Sequence, residues 1–100
     1  MVEIRQTELF QSWMDGLSDQ RAASRIAMRI ARLRLGLFGD VKPVGEGVSD
    51  LRVDYGPGYR VYLIHRGRDV TVLLAGGDKR TQKRDIVRAH ALAAELEKEP

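Results

Sequence analysis

The runs Tyr59-Arg60-Val61-Tyr62-Leu63-Ile64-His65 and Val70-Thr71-Val72-Leu73-Leu74-Ala75 decide the fold of the chain. Both are rich in β-branched and aromatic residues, and the short Gly67-containing segment between them is typical of a tight turn. They therefore predict two antiparallel strands. Valine and leucine occupy odd and even positions of the second run, which indicates a strand covered on both faces.

Two short loops are predicted to flank these strands, and each brings a cation to a bend. Gly56-Pro57-Gly58 joins a preceding strand, Val48 to Asp54, to the run that contains Arg60. Gly76-Gly77-Asp78-Lys79 is predicted to lead from the last strand into the last helix. We therefore expect one small sheet with Arg60 and Lys79 at its bends.

The rest of the chain predicts one further strand and three helices. In chain order, these are a strand from Met1 to Gln6, a helix from Glu8 to Asp15 with Thr7 as its N-cap, a helix from Ser18 or Asp19 to Leu35, and a final helix from Asp78 or Thr81 to Lys98. Gly16 and Gly36 are predicted to end the first two helices. Trp13 lies on the apolar face of the first helix, which predicts a core position. The segment 38–47 holds four glycines and prolines, so it is predicted to be a loop that carries Lys42.

A chain of 100 residues favours a single domain over residues 1–100. The predicted order is strand, helix, helix, strand, strand, strand, helix, so we expect an α+β fold with a small, mainly antiparallel sheet and helices packed on it. The lack of cysteine removes disulfides, thiolate metal sites and thiol catalysis. No apolar run approaches the ~18 residues of a membrane span and the first residues do not form a signal core, so we expect a cytoplasmic protein without a membrane partner.

Basic residues are concentrated on the second predicted helix. The net charge is only +3, yet the segment 20–39 contains five arginines and no acid. Arg25, Arg29 and Arg32 continue from Arg21 at helical spacings, so they form a stripe along one face. Such a stripe is either an exposed face paired with acids elsewhere in the fold or a surface that contacts RNA phosphates or an acidic antagonist.

Several motifs occur in a specific order along nearly the whole chain. They are Phe10 with Trp13, Arg25-Ile26 with Arg29 and Arg32, Gly39-Asp40-Val41-Lys42 with Val44-Gly45, Gly47-Val48, Leu51-Arg52, Gly56-Pro57-Gly58-Tyr59-Arg60 with Tyr62, and Leu74-Ala75-Gly76-Gly77-Asp78-Lys79 with Gln82 and Asp85-Ile86. In these motifs the chain resembles the RelE/ParE superfamily of bacterial toxins, and most closely its phage Gp49-like, HigB-type branch of addiction-module killer proteins.

This resemblance implies a RelE-like fold and the toxin of a type II toxin-antitoxin system. Such a toxin enters the ribosomal A site and cleaves mRNA, with the ribose 2′-hydroxyl attacking its own phosphate, so no metal or other cofactor is expected. The implied partners are the ribosome, mRNA and a cognate antitoxin, which we expect to be a small helix-turn-helix DNA-binding protein.

The resemblance also implies roles for single residues. Arg60 matches the arginine set against the scissile phosphate. Lys79 and Arg80 match the basic pair after the last strand, of which the arginine assists the leaving group. Arg52 lies where such toxins carry a cation on the second strand. The tyrosine of the last helix of RelE has no counterpart, the nearest position being Ile86.

The chemistry of cleavage supports the same cations independently. The reaction requires stabilisation of the phosphorane charge, removal of one proton and assistance to the leaving oxygen. Preorganised donors are worth about 10² to 10³ in rate each, so two or three of them would supply a large part of the acceleration. The candidate catalytic residues are Arg60, Lys79, Arg80 and Lys83, and the candidate contacts to RNA or the ribosome are Arg52, Tyr62, Arg25, Arg29, Arg32 and Lys42.

Three side chains are considered as further participants. His90, in the last helix, is either an acid or base or a structural histidine. Tyr62 shares the Arg60 face and is either a stacking platform for a base or a core aromatic residue. His65 is expected on the face opposite Arg60, because odd and even strand positions point to opposite sides.

Two other functions fit parts of the pattern. A ParE-like inhibitor of DNA gyrase would share the fold and act through protein contacts without cleaving RNA. A basic nucleic-acid-binding module would use the arginine stripe and would bind free RNA or DNA with a steep salt dependence.

Overall fold

One five-stranded sheet forms the centre of the structure, a computed structural model that describes residues 1–98. The elements are, in chain order, β1 (Glu3–Gln6), α1 (Glu8–Asp15), α2 (Gln20–Arg34), β2 (Val41–Gly45), β3 (Val48–Val53), β4 (Tyr59–Arg66), β5 (Val70–Asp78), a 3-10 turn (Lys79–Thr81) and α3 (Gln82–Glu97). The strands lie in the order β1-β5-β4-β3-β2. β1 is parallel to β5, and the other pairings are antiparallel. The expected α+β class is therefore confirmed, with a mixed sheet.

The first two helices begin and end close to the predicted positions, because their capping interactions are local. Thr7 Oγ1 accepts a hydrogen bond from the backbone N–H of Phe10 at 3.0 Å, and Asp19 accepts from two backbone N–H groups of α2. Gly16 directly follows α1, and Gly36, just after α2, has a φ of 79°. Between residues 1 and 98, no helix combines the length and the apolar character needed to cross a membrane.

Helices cover both faces of the sheet. One cluster contains Phe10 of α1, Ile26 and Leu33 of α2, and Val61 and Leu63 of β4, while a second contains Ala89 and Ala93 of α3 with Tyr62 and Ile64 of β4. Because successive strand residues point to opposite faces, α1 and α2 lie on one face and α3 lies on the other. Trp13, a predicted core residue, is half-buried and packs against the first cluster.

The segment 38–47 is not only a loop, which corrects the predicted element order. Val41–Gly45 forms the edge strand β2, so four strands follow α2 instead of three. Glu46 and Gly47 join β2 to β3 with positive φ angles of 56° and 76°, as the central residues of a type I′ turn have. Glutamate is uncommon at positive φ, and Pro43 is tolerated because β2 has a neighbour on one side only.

Gly76 and Gly77 lie inside β5, so the predicted loop at these residues is wrong. The strand continues to Asp78. A Cβ on Gly76 would overlap the indole of Trp13, and a Cβ on Gly77 would lie 2.8 Å from Cγ of Asp85. The two glycines therefore leave room for Trp13 on one face of the strand and for Asp85 on the other. A predicted turn at these residues does not imply such contacts.

Candidate anion-binding site

A cleft at one end of the sheet brings together three of the predicted site residues. Arg52 of β3, Arg60 of β4 and Lys79 of the 3-10 turn line this cleft, whose volume is about 240 Å³. The other lining residues are Asp40, Val53, Asp54, Gly58 and Tyr59. The cations expected at two separate bends thus face one space, which we call the basic cleft.

The register of the sheet places two arginines side by side. Arg52 lies directly opposite Arg60 in the β3–β4 pairing, and Gly77 lies opposite Arg60 on β5. Opposite residues of antiparallel strands point to the same face, with Cβ atoms about 4.5–5.5 Å apart. Tyr62, two residues beyond Arg60 on β4, packs with Ala89 of α3. Arg52 and Arg60, called the arginine pair below, therefore share the face that α3 covers.

Asp50 forms an ion pair with each member of the arginine pair. Its Oδ2 accepts a hydrogen bond from Nη1 of Arg60 at 3.0 Å, and its Oδ1 accepts one from Nε of Arg52 at 3.3 Å. Asp50 is fully buried, whereas the side chains of Arg60 and Arg52 are 10% and 32% exposed. Removing one member of a buried ion pair typically lowers the free energy of unfolding by about 3–5 kcal/mol, because the other charge is left uncompensated.

Tyr62 is a core residue. Its side chain is fully buried, so a nucleic-acid base cannot stack on it, and of the two interpretations of Tyr62 the core aromatic is the one that its burial supports. Its hydroxyl and the Nε of Arg60 are both buried without a hydrogen-bond partner in the described part of the chain. Burial, and after it the negative charges of Asp85 and Asp50, raises the pKa of Tyr62 to about 12.

Lys79 is exposed at the start of the 3-10 turn, and a capping box fixes that turn. Asp78 accepts a hydrogen bond from the backbone N–H of Arg80 at 2.8 Å. The guanidinium of Arg80 folds back onto the same carboxylate at 2.9 Å, and this hydrogen bond lowers the pKa of Asp78. Arg80 is thus paired at the surface, and neither it nor the exposed Lys83 lines the basic cleft.

Asp85 is a second buried acid, and it ties α3 to the end of β5. Its Oδ2 accepts a hydrogen bond from Thr81 Oγ1 at 2.5 Å, and Gly77 leaves the room for its carboxylate. The contact holds the turn that carries Lys79 against the sheet. An acidic residue in the first turn of a helix is ordinarily explained by the helix dipole, so its position in the sequence does not predict burial.

Arg29 is a structural member of the arginine stripe. It is half-buried, and its guanidinium donates to the backbone carbonyls of Arg52 at 2.7 Å and Phe38 at 3.3 Å. It therefore joins α2 to β3 and to the segment that follows α2. These carbonyls take two of its five N–H donors, and Arg29 also lines a surface groove with Arg25 and Arg32, so the RNA contact expected of it stays a prediction.

The remaining cations expected to contact RNA lie at the surface. Arg25 lies over the ring of Tyr55, with its Cζ 4.6 Å from the ring centroid, in a cation-π contact. Arg25 and the exposed Arg32 line a groove of about 250 Å³ that shares Asp54 with the basic cleft, so the groove and the cleft adjoin. Lys42 is exposed on the edge strand β2 and lies outside the lining of the cleft.

Both histidines make contacts away from the basic cleft. Nε2 of His90 lies 3.0 Å from the carbonyl oxygen of Val44, so a ring protonated at Nε2 donates to β2. This contact supports the structural interpretation of His90. Nδ1 of His65 lies 2.9 Å from Thr71 Oγ1, and its ring packs edge-on against Phe38.

The basic cleft is suited to a phosphate group. Arginine presents a planar fork of donors that matches phosphate oxygens, and a lysine beside it adds a mobile point charge. Asp40 and Asp54 add two exposed carboxylates that can accept a proton. Within residues 1–98, no three histidine, aspartate or glutamate side chains are grouped so as to hold a metal ion.

No protein-family model matches the chain. An uncharacterized protein of Haemophilus influenzae is 47% identical to it over 95 residues, which cover 95% of this chain and 96% of that protein. Identity at this level over nearly the full length of both proteins establishes common descent and a shared fold. The chain therefore belongs to the same family as this Haemophilus influenzae protein.

Proposed function

We propose that the chain is the toxin of a type II toxin-antitoxin system, with a RelE-like fold, and that it cleaves mRNA bound to the ribosome. The observation that carries the proposal is the meeting of Arg52, Arg60 and Lys79 in one cleft. These cations come from three different elements. The resemblance to RelE-type nucleases implies that Arg60 faces the scissile phosphate, and that Lys79 and Arg52 match positions at which such toxins carry cations. The proposed setting is the cytoplasm, with a small helix-turn-helix antitoxin as the cognate partner.

In the proposed reaction the 2′-hydroxyl of a ribose attacks the adjacent phosphorus, and the bond to the 5′ oxygen of the next nucleotide breaks. The arginine pair and Lys79 stabilise the negative charge that develops on the phosphorane, and each such donor is worth about 10² to 10³ in rate. Asp40 or Asp54 accepts the proton of the 2′-hydroxyl, since both carboxylates line the cleft, and the departing 5′ oxygen takes up a proton from water. The ribosome contributes geometry by holding the message, which reduces what the protein itself must supply.

Induced expression of single-residue variants tests this function. Arg60→Ala and Lys79→Ala should relieve growth arrest, and primer extension on cellular messages should lose the cleavage sites that the parent protein produces. Arg68→Ala is the matched control, because Arg68 is an exposed cation in the turn between β4 and β5 and lies outside the cleft. Growth arrest of parental strength by folded Arg60→Ala and Lys79→Ala proteins would contradict the assignment.

A ParE-like, non-enzymatic inhibitor of DNA gyrase is the second candidate. The burial of Arg60 favours it, because the charge of this arginine is already paired with Asp50 and only a tenth of its side chain is exposed. This function predicts DNA damage with intact messages in induced cells. Clustered cuts in translated RNA would exclude it as the cause of arrest.

A further inference from the structure

We infer that Asp50 is a positioning residue, which holds Arg52 and Arg60 together as one two-armed receptor for a single phosphate group. The inference deepens the proposed nuclease function and rests on it. Nothing in the pattern of β3 distinguishes Asp50 from an ordinary polar residue of a half-exposed strand. In the structure it is fully buried, and it is the carboxylate that both arginines share.

The first step of the argument is repulsion within the arginine pair. Arg52 and Arg60 are directly opposite on neighbouring strands, an arrangement that is unfavourable for like charges. Asp50 lies two residues from Arg52 on the same strand and the same face, and it offers one carboxylate oxygen to each guanidinium. Its negative charge offsets the repulsion and fixes the distance between the two guanidinium groups.

The second step is the number of donors left for a ligand. An arginine has five N–H donors, and Asp50 takes one from Arg60, at Nη1, and one from Arg52, at Nε. The Nε of Arg60 is buried, but both guanidiniums keep further N–H donors at their terminal nitrogens, and both arginines line the basic cleft. Arg29 of α2, on the other face of the sheet, also helps to fix the position of Arg52, because it donates a hydrogen bond to the backbone carbonyl of Arg52. The arrangement gives rigidity to donors that must be in place before charge develops on the substrate.

The third step is that neutral isosteres cannot make the same contacts. The amide of an Asp50→Asn variant has one acceptor oxygen, and its NH₂ group would face an arginine donor. One guanidinium would then lose its partner and its fixed position. Asp69→Asn is the matched control, because Asp69 is an exposed acid in the turn between β4 and β5 and does not line the basic cleft.

The first experiment is a titration of the parent protein with inorganic phosphate, followed by NMR of ¹⁵N-labelled arginine side chains. The Nε signals of Arg52 and Arg60 should shift together along one saturating curve. In Asp50→Asn the two signals should no longer move together, and Asp69→Asn should behave like the parent protein. A parent protein in which phosphate moves neither signal, or only one, would overturn the inference, and this measurement needs no substitution that could unfold the protein.

The second experiment is a double-mutant cycle on cleavage of ribosome-bound mRNA. Asp50→Asn should lower kcat/KM by about 10², comparable to the loss of one preorganised donor, and should have a smaller effect in the Arg60→Ala background, where only Arg52 remains to be positioned. An equal loss in both backgrounds would show that Asp50 acts through general stability, and would refute positioning. If phosphate shifts both arginine signals together but the protein does not cleave mRNA, the phosphate receptor is confirmed and the nuclease function is rejected.

Discussion

Gly77 of β5 and Asp85 of α3 are in direct contact, because a Cβ on Gly77 would lie 2.8 Å from the carboxylate carbon of Asp85. The strand and the helix can approach this closely at Gly77 because the residue has no side chain. This approach also orders the 3-10 turn between them, since Asp85 accepts a hydrogen bond from Thr81 in that turn. The contact thus holds the turn whose first residue is Lys79.

A Gly77→Ala substitution should lower the free energy of unfolding by about 1–3 kcal/mol, the usual effect of overpacking a buried position. In an Asp85→Ala background the same substitution should cost clearly less, because the carboxylate that the new methyl group meets has been removed. Urea unfolding of the four proteins of this cycle, followed by circular dichroism, measures both effects. Equal losses in the two backgrounds would place the clash elsewhere.

Replacing Arg29 by methionine should lower the free energy of unfolding by about 1–3 kcal/mol, because the carbonyls of Arg52 and Phe38 lose their charged donor. Arg32→Met, in the same stripe but exposed, should stay within about 0.5 kcal/mol of the parent protein. Chemical denaturation distinguishes the two variants. Similar small losses for both would mean that Arg29 is not a structural residue.

Tyr62→Phe should leave the free energy of unfolding unchanged or raise it by up to about 1 kcal/mol, because the hydroxyl that it removes is buried without a partner. The variant should also change the response to alkali. The folded-state pKa of Tyr62 is raised from 10.0 to about 12, so the unfolded chain releases this proton first and the parent protein loses stability as the pH rises from 10 to 12.

Denaturant unfolding at several alkaline pH values, with tyrosinate absorbance as a second reading, measures this effect. Tyr62→Phe should lose less stability than the parent protein in this range, and the late tyrosine titration should disappear. A parent protein without a tyrosine that titrates clearly above pH 10 would contradict the environment described for Tyr62.

His90→Ala should lower the free energy of unfolding by about 0.5–1.5 kcal/mol, because the carbonyl of Val44 loses its donor. Cleavage of ribosome-bound mRNA by the folded variant should remain near that of the parent protein, since His90 does not line the basic cleft. A general acid or base typically contributes about 10² to 10⁴ in rate, so a loss of that size would assign proton transfer to His90 after all.

Local signals predicted most of the elements but not the edge strand. Thr7, Asp19 and Gly16 form caps within a few residues of themselves, so the first two helices follow from the chain directly. The β2 strand escaped prediction because Pro43 and the glycines around it dominate its composition, and because its turn has a glutamate at positive φ. Residues 41–45 form a strand because they pair with β3, and this tertiary contact outweighs the local preference for a loop.

The candidate site was predictable in its cations and not in its acids. Arg60 and Lys79 follow Gly-rich segments that mark them in the sequence, and the structure brings them to one cleft. Asp50 and Asp85 occupy ordinary polar positions of a strand and a helix, and their burial depends on contacts between elements, with Arg60 of β4 for Asp50 and Gly77 of β5 for Asp85. Gly76 and Gly77 illustrate the same limit. The sequence does not distinguish a glycine that makes room for a neighbouring side chain from a glycine that forms a turn.

The parallel pairing of β1 with β5, in which Glu3 lies opposite Val70, has a consequence for synthesis of the chain. The hairpins from β2 to β4 close between neighbours and can form early, whereas the β1–β5 pairing waits until β5 has emerged from the ribosome. Lys79 follows β5 directly, so the last cation of the cleft arrives with the strand that completes the sheet. A nascent chain therefore lacks a finished cleft for most of its translation, which on the proposed function protects the ribosome that is making it.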